Sequence, residues 1–142
     1  MRQILLFAAL AAVLALLLVS CGRTKGKPVP TEEDAPGMAA YHKISAEEAY
    51  EMMASQEVVV VDVRTREEYD GGHIENAVLV PNESIGSEIP EALPDKEATL
   101  LVYCRSGRRS KDAAQKLLAL GYQSVYDFGG VIDWPYELVK EG

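Results

Sequence analysis

A chain of 142 residues has room for one domain, and 14 Lys and Arg against 22 Asp and Glu leave it at a formal charge of −8. That balance excludes non-specific nucleic-acid binding, which relies on basic patches releasing counterions, so no nucleic-acid partner is expected. The only histidines, His42 and His73, lie in different segments and the cysteines lack zinc-finger spacing, so neither a metal nor a cofactor is expected.

The chain opens "MRQILLFAALAAVLALLLVSCG", with Arg2 before an apolar run over 4–19 and small residues before Cys21. This is the pattern of an export signal, and the run is shorter than the ~20 residues that usually span a membrane. Its end, Leu18-Val19-Ser20-Cys21, resembles a bacterial lipobox, which implies cleavage before Cys21 and lipidation of that cysteine. Residues 1–20 are therefore expected to be a lipoprotein signal peptide. The segment that follows, "GRTKGKPVPTEEDAPGMAAYHK", is rich in Gly, Pro and charge and has no apolar period. Residues 21–43 read as a lipid-anchored flexible tether, with the domain over 44–142. The expected location is a bacterial cell envelope, outside the cytoplasm on the periplasmic or cell-surface side. With Cys21 acylated, Cys104 is the one free thiol, a candidate reactive group.

Along the domain, "SAEEAYEMMAS" starts with a capping box, Ser45 with Glu48, and predicts a helix. "VVVVDV" over 58–63 is a continuous β-branched run, as expected for a strand buried on both faces. "TREEY" repeats the capping pattern with Thr65 and Glu68, and predicts a short helix. "AVLVP" reads as a short strand ended by Pro81, and Gly86, Pro90 and Pro94 then leave room only for short turns. "TLLVYC" predicts a second buried strand. "RRSKDAAQKLLALGY" spaces Ala113, Ala114, Leu117 and Leu118 for an amphipathic helix with Gly121 as its C-cap. "SVYDF" predicts a last strand, and "GGVIDWPYELVKE" predicts a turn and a terminal helix with Pro135 near its start. Strands alternating with helices give an α/β fold, a central, mostly parallel sheet flanked by helices.

Ligands of such folds sit at the carboxyl ends of the strands, which is where Cys104 falls. The turn after it can aim several backbone N–H groups at one point, and the helix terminus adds partial positive charge. That field lowers a cysteine pKa, and Arg105, Arg108 and Arg109 add to it. The stretch reads as a nucleophilic thiolate beside a landing site for an anion. Asp62 and Arg64 are expected to satisfy each other at the end of a buried strand. His73 is expected to anchor a loop, and Trp134 to fill the core.

"VVVVDVRTREEYDGGHIENAVLVP", "LLVYCRSGRRS", "LLALGY" and "VYDFGGVIDW", in this order, resemble the single-domain rhodaneses, a sulfurtransferase family. The resemblance implies a rhodanese-like fold and a persulfide on Cys104. The sulfur would come from a small anionic donor such as thiosulfate and pass to cyanide or a thiol, a protein thiol included. It places the active loop over Cys104, Arg105, Ser106, Gly107, Arg108 and Arg109, its amides cradling the sulfur and its arginines attracting the donor. Cysteine phosphatases and arsenate reductases resemble this loop but use Cys-x5-Arg, whereas Ser110 stands sixth after Cys104 here. A non-enzymatic interaction module is the alternative from another class, and the intact cysteine loop speaks against it.

Overall fold

The computed structural model describes residues 40–140. The signal, Cys21 and the tether up to residue 39 lie outside the described residues, as do the last two residues. Five strands form one parallel sheet in the order β1-β5-β4-β2-β3. They are β1 (Ala40–Lys43), β2 (Val59–Asp62), β3 (Val78–Leu79), β4 (Thr99–Cys104) and β5 (Ser124–Gly130). The helices are α1 (Ala46–Ser55), α2 (Arg66–Asp70) and α3 (Arg108–Ala119).

Both capping boxes form. Ser45 and Glu48 bond each other's backbone N–H groups at the start of α1, and Thr65 and Glu68 do the same at α2. These bonds satisfy N–H groups that a helix start otherwise leaves unpaired. Alternation along β4 divides the core between the sheet's two faces. Leu100, Val102 and Cys104 pack with Val61, Val63, Ala113, Ala114 and Leu117 on the α3 side. Leu101 and Tyr103 pack with Ala49, Tyr69 and Phe128 on the side of α1 and α2. Apolar contact on both faces is what the continuous runs in β2 and β4 require.

Two expectations are corrected. The tether was expected to reach residue 43, but Ala40–Lys43 form strand β1, paired in parallel with Ser124, Val125, Tyr126 and Asp127. "AYHK" carries no apolar alternation of its own; pairing to the edge of β5 makes it a strand, with His42 stacked on Tyr126. The terminal helix does not form. A 3-10 turn over Val131–Asp133 gives way at Trp134, which takes the extended ψ of 115° that a residue before proline prefers. Val139 then exchanges both backbone hydrogen bonds with His73 in an antiparallel bridge.

Candidate active site

Cys104 ends β4 and is 1% exposed. A bulge on β5 sets the backbone opposite it: Val102 pairs with Asp127 and Tyr103 with Gly129, so Phe128 is the extra residue. Gly130 therefore faces Cys104 directly. The loop of Arg105 and Ser106 lies against Gly130, where a Cβ would come within 2.6 Å of Ser106 Cα. The N–H of Ile132 donates to the Arg105 carbonyl at 3.2 Å and holds the loop from the same side. Gly107 closes the turn at φ 97°, a left-handed backbone conformation that glycine adopts without strain, and α3 begins at the next residue.

The turn folds back over the sulfur. The N–H of Gly107 donates to Cys104 Sγ at 3.0 Å. Burial pushes the thiol pKa up, but hydrogen bonds from the Ser110 backbone and hydroxyl and from the Gly107 and Ser106 amides outweigh it. The net direction is down. The largest stabilising contributions thus come from the amides and Ser110, not from the arginines the sequence drew attention to.

Those arginines occupy different positions. Arg105 and Arg108 are exposed, and neither makes an ion pair within 4 Å among the described residues. Arg109 is part-buried and gives two hydrogen bonds to the Glu68 carboxylate, at 2.7 and 2.8 Å. These bonds, with those from Thr65, hold Glu68 at about 2 despite partial burial. Arg109 still lies close enough to Cys104 to interact with its charge, but its guanidinium is engaged in joining α2 to α3.

Asp62 and Arg64 form the expected buried pair at 2.6 Å. Tyr103 donates to the same carboxylate, and Arg64 also donates to the Gly72 carbonyl. His73 is a loop anchor, as expected: its Nδ1 lies 2.9 Å from the Tyr69 carbonyl and its ring stacks on Tyr69. Trp134 is half-buried, packing on Phe128 at the edge of the α1 face. A cavity of about 810 Å³ lined by Tyr50, Met53, Val60, Trp134 and Tyr136 contains none of the residues 104–110. Among the described residues no acidic, His or Cys cluster could hold a metal.

Two residues of the site were not singled out from sequence. Ser110 counted only as the position where a phosphatase would have arginine, yet its hydroxyl is buried at the base of the loop. Asp127 is 1% exposed in the middle of a sheet. A lone carboxylate inside the apolar run "SVYDF" was the available signal, because a buried charge requires partners.

A buried cysteine on the strand-to-helix turn of a parallel sheet, with backbone amides turned to its sulfur, defines an α/β protein whose candidate site lies at the carboxyl end of β4. Residues 45–135 match the Rhodanese-like domain, and the chain belongs to that family. It is 31% identical over 106 residues to the tRNA uridine(34) hydroxylase of Yersinia pestis (strain Pestoides F), covering 71% of this chain and 30% of that protein. The chain thus spans less than a third of the length of these curated relatives. A rhodanese with anions from E. coli is 36% identical with a TM-score of 0.53, over 58% of this chain and 98% of that one. The thiosulfate sulfurtransferase of Pseudomonas aeruginosa is 27% identical with a TM-score of 0.63, over 72% of this chain and 21% of that one.

Proposed function

We propose that the protein is a rhodanese-type sulfurtransferase that carries sulfane sulfur on Cys104. The observation that bears most weight is the buried sulfur accepting the Gly107 N–H inside a tight six-residue loop, Cys104 to Arg109. The Cys104 thiolate attacks the outer sulfur of thiosulfate. A bond forms between Sγ and that sulfur, the S–S bond of thiosulfate breaks, and sulfite leaves with the electron pair. Cyanide or a thiolate, a protein thiolate included, then attacks the outer sulfur, and the Cys104 thiolate leaves unchanged. No separate base is required, in keeping with His73 turned to Tyr69. The amides of Ser106 and Gly107 hold the sulfur, and exposed Arg105 and Arg108 draw the anionic donor.

Phosphate chemistry fits less well. The sixth position after Cys104 holds a hydroxyl, and Arg109 is turned to Glu68 instead of closing the ring. Hydroxylation of tRNA is named for relatives of which this chain spans under a third, and a formal charge of −8 works against RNA binding. We further propose that the domain works at a membrane surface outside the cytoplasm, tethered through lipidated Cys21.

The test is to treat the full chain with thiosulfate and weigh the Cys104 peptide. A gain of one sulfur, lost again on adding cyanide and absent in Cys104→Ser, is the expected result. Thiocyanate formation by the serine variant overturns the assignment. A mature N-terminus at Met1 in membranes overturns the anchoring.

A further inference from the structure

Asp127 is a buried carboxylate beneath the candidate active loop. Its Oδ1 accepts from the Ser110 hydroxyl at 2.7 Å and from the Gly129 N–H at 2.9 Å. Its Oδ2 accepts from the Tyr41 hydroxyl at 2.8 Å and lies 3.3 Å from Lys43 Nζ. The same hydroxyl lies 3.1 Å from the Gly107 carbonyl and 3.3 Å from the Gly129 carbonyl, and the Gly107 N–H donates to Cys104 Sγ at 3.0 Å. A hydroxyl has one proton to give. Asp127 Oδ1 is its nearest acceptor, so that proton is drawn to the carboxylate beneath the loop that carries the sulfur.

We propose that Asp127 is a positioning residue that tunes the Cys104 nucleophile, drawing the Ser110 proton toward itself and so opposing formation of the sulfur anion, with Lys43 moderating it. When Cys104 is a thiol, Ser110 donates to Asp127. A thiolate at Cys104 adds a second negative charge above that carboxylate, which Ser110, Gly129, Tyr41 and Lys43 hold beneath the loop. The inference rests on Cys104 as the nucleophile, but it concerns the thiol itself, before any sulfur donor arrives.

The other charged and titratable groups near this chain of contacts are few. Tyr41 and Lys43 come from β1, and Arg109 comes from α3 with Glu68 of α2 as its partner. Arg105 and Arg108 stand exposed on the loop. Tyr41 stays a neutral donor, because burial and Asp127 both push its pKa well above the usual phenol range. Lys43 is half-exposed, with 53% of its side chain accessible, so its charge can be removed without opening the core.

Asp127 and its partner Lys43 therefore act on the thiol in opposite senses. Asp127→Asn keeps an acceptor for Ser110 and Gly129 but removes the competing anion, so the thiol should ionise at lower pH. Lys43→Met leaves the carboxylate less neutralised, so ionisation should move to higher pH. At an effective dielectric of about 20, removing one nearby unit charge is expected to move the midpoint by about one pH unit.

The experiment is the pH dependence of iodoacetamide alkylation, read on the Cys104 peptide by mass spectrometry. It uses the full chain in zwitterionic detergent, as wild type, Asp127→Asn and Lys43→Met. The expected result is a midpoint about one unit lower in Asp127→Asn, roughly tenfold faster alkylation below it, and a higher midpoint in Lys43→Met. A buried acid that only supports the fold would not give opposite shifts. An unchanged or raised midpoint in Asp127→Asn, or shifts of the same sign in both variants, overturns the proposal. If Asp127→Asn does not fold, Lys43→Met decides: a raised midpoint supports the proposal and an unchanged or lowered one overturns it. Alkylation needs no sulfur donor, so failure of sulfur transfer and failure of this inference are separate results.

Discussion

Gly130→Ala adds one methyl group at the point where β5 meets the candidate active loop. The backbone there has φ −123° and ψ 144°, an extended conformation open to any residue, so the substitution carries no conformational penalty. The effect is steric. The new Cβ would lie 2.6 Å from Ser106 Cα and 2.7 Å from the Arg105 carbonyl carbon, and closer still to the Arg105 oxygen. Carbon atoms in contact settle at about 3.5–4.0 Å, so strand and loop must part by about 1 Å. β5 is held on both sides, by β1 and by β4, and the loop is the part that can yield. Overpacking of this kind costs about 1–3 kcal/mol of stability. A 1 Å displacement of the amides from the sulfur is expected to cost about 100-fold in kcat/KM. Thiocyanate formation from thiosulfate and cyanide measures the second effect and urea unfolding the first. Gly86→Ala is the control, because a Cβ there meets nothing within 4 Å. Wild-type turnover in Gly130→Ala would refute the claim that close approach of β5 shapes the loop.

Arg105→Ala and Arg108→Ala should each raise KM for thiosulfate several-fold while leaving kcat nearly unchanged, the pattern of lost uniform binding. Salt should reproduce part of the rise in the wild type, since exposed charges are screened over about 8–10 Å. Glu68→Gln should destabilise the fold at neutral pH. A carboxyl held at about 2 in the fold against about 4.3 unfolded corresponds to roughly 3 kcal/mol, which partial solvent exposure reduces to about 1–2. Because the folded value is depressed, this stability is full above the unfolded value and is lost as pH falls through about 2. The gap between wild type and Glu68→Gln in urea unfolding should therefore be widest near pH 7 and close between about pH 4.5 and 2.

Features encoded by neighbours in the chain were legible without a structure. The capping boxes at Ser45 and Thr65 need residues three apart, and both form. The β-branched run of β2 and the periodicity of α3 announce their own burial, because each repeats at the spacing of the element it builds. Cys104 between a strand and a helix located the candidate site, since the end of a parallel strand is a fixed place in such folds. The terminal helix was not legible in this way: Val139 exchanges both backbone hydrogen bonds with His73, an extended pairing with a distant segment that a helix would forgo.

What the tertiary structure decided depends on residues far apart in sequence. β1 is a strand because β5 lies beside it, and nothing within "AYHK" reports that neighbour. Arg109 looked like its exposed neighbours until α2 brought Glu68 within 2.7 Å, 41 positions away. Gly130 lost all room for a Cβ once the Phe128 bulge set it opposite Cys104 and the loop packed onto it. Asp127 and Ser110, 17 residues apart, meet only when β5 and α3 pack on the same face. Sequence alone placed a cysteine on a turn between strand and helix, since all three are local. The charges around that sulfur were set by packing, because electrostatic interaction depends on distance through space and not along the chain.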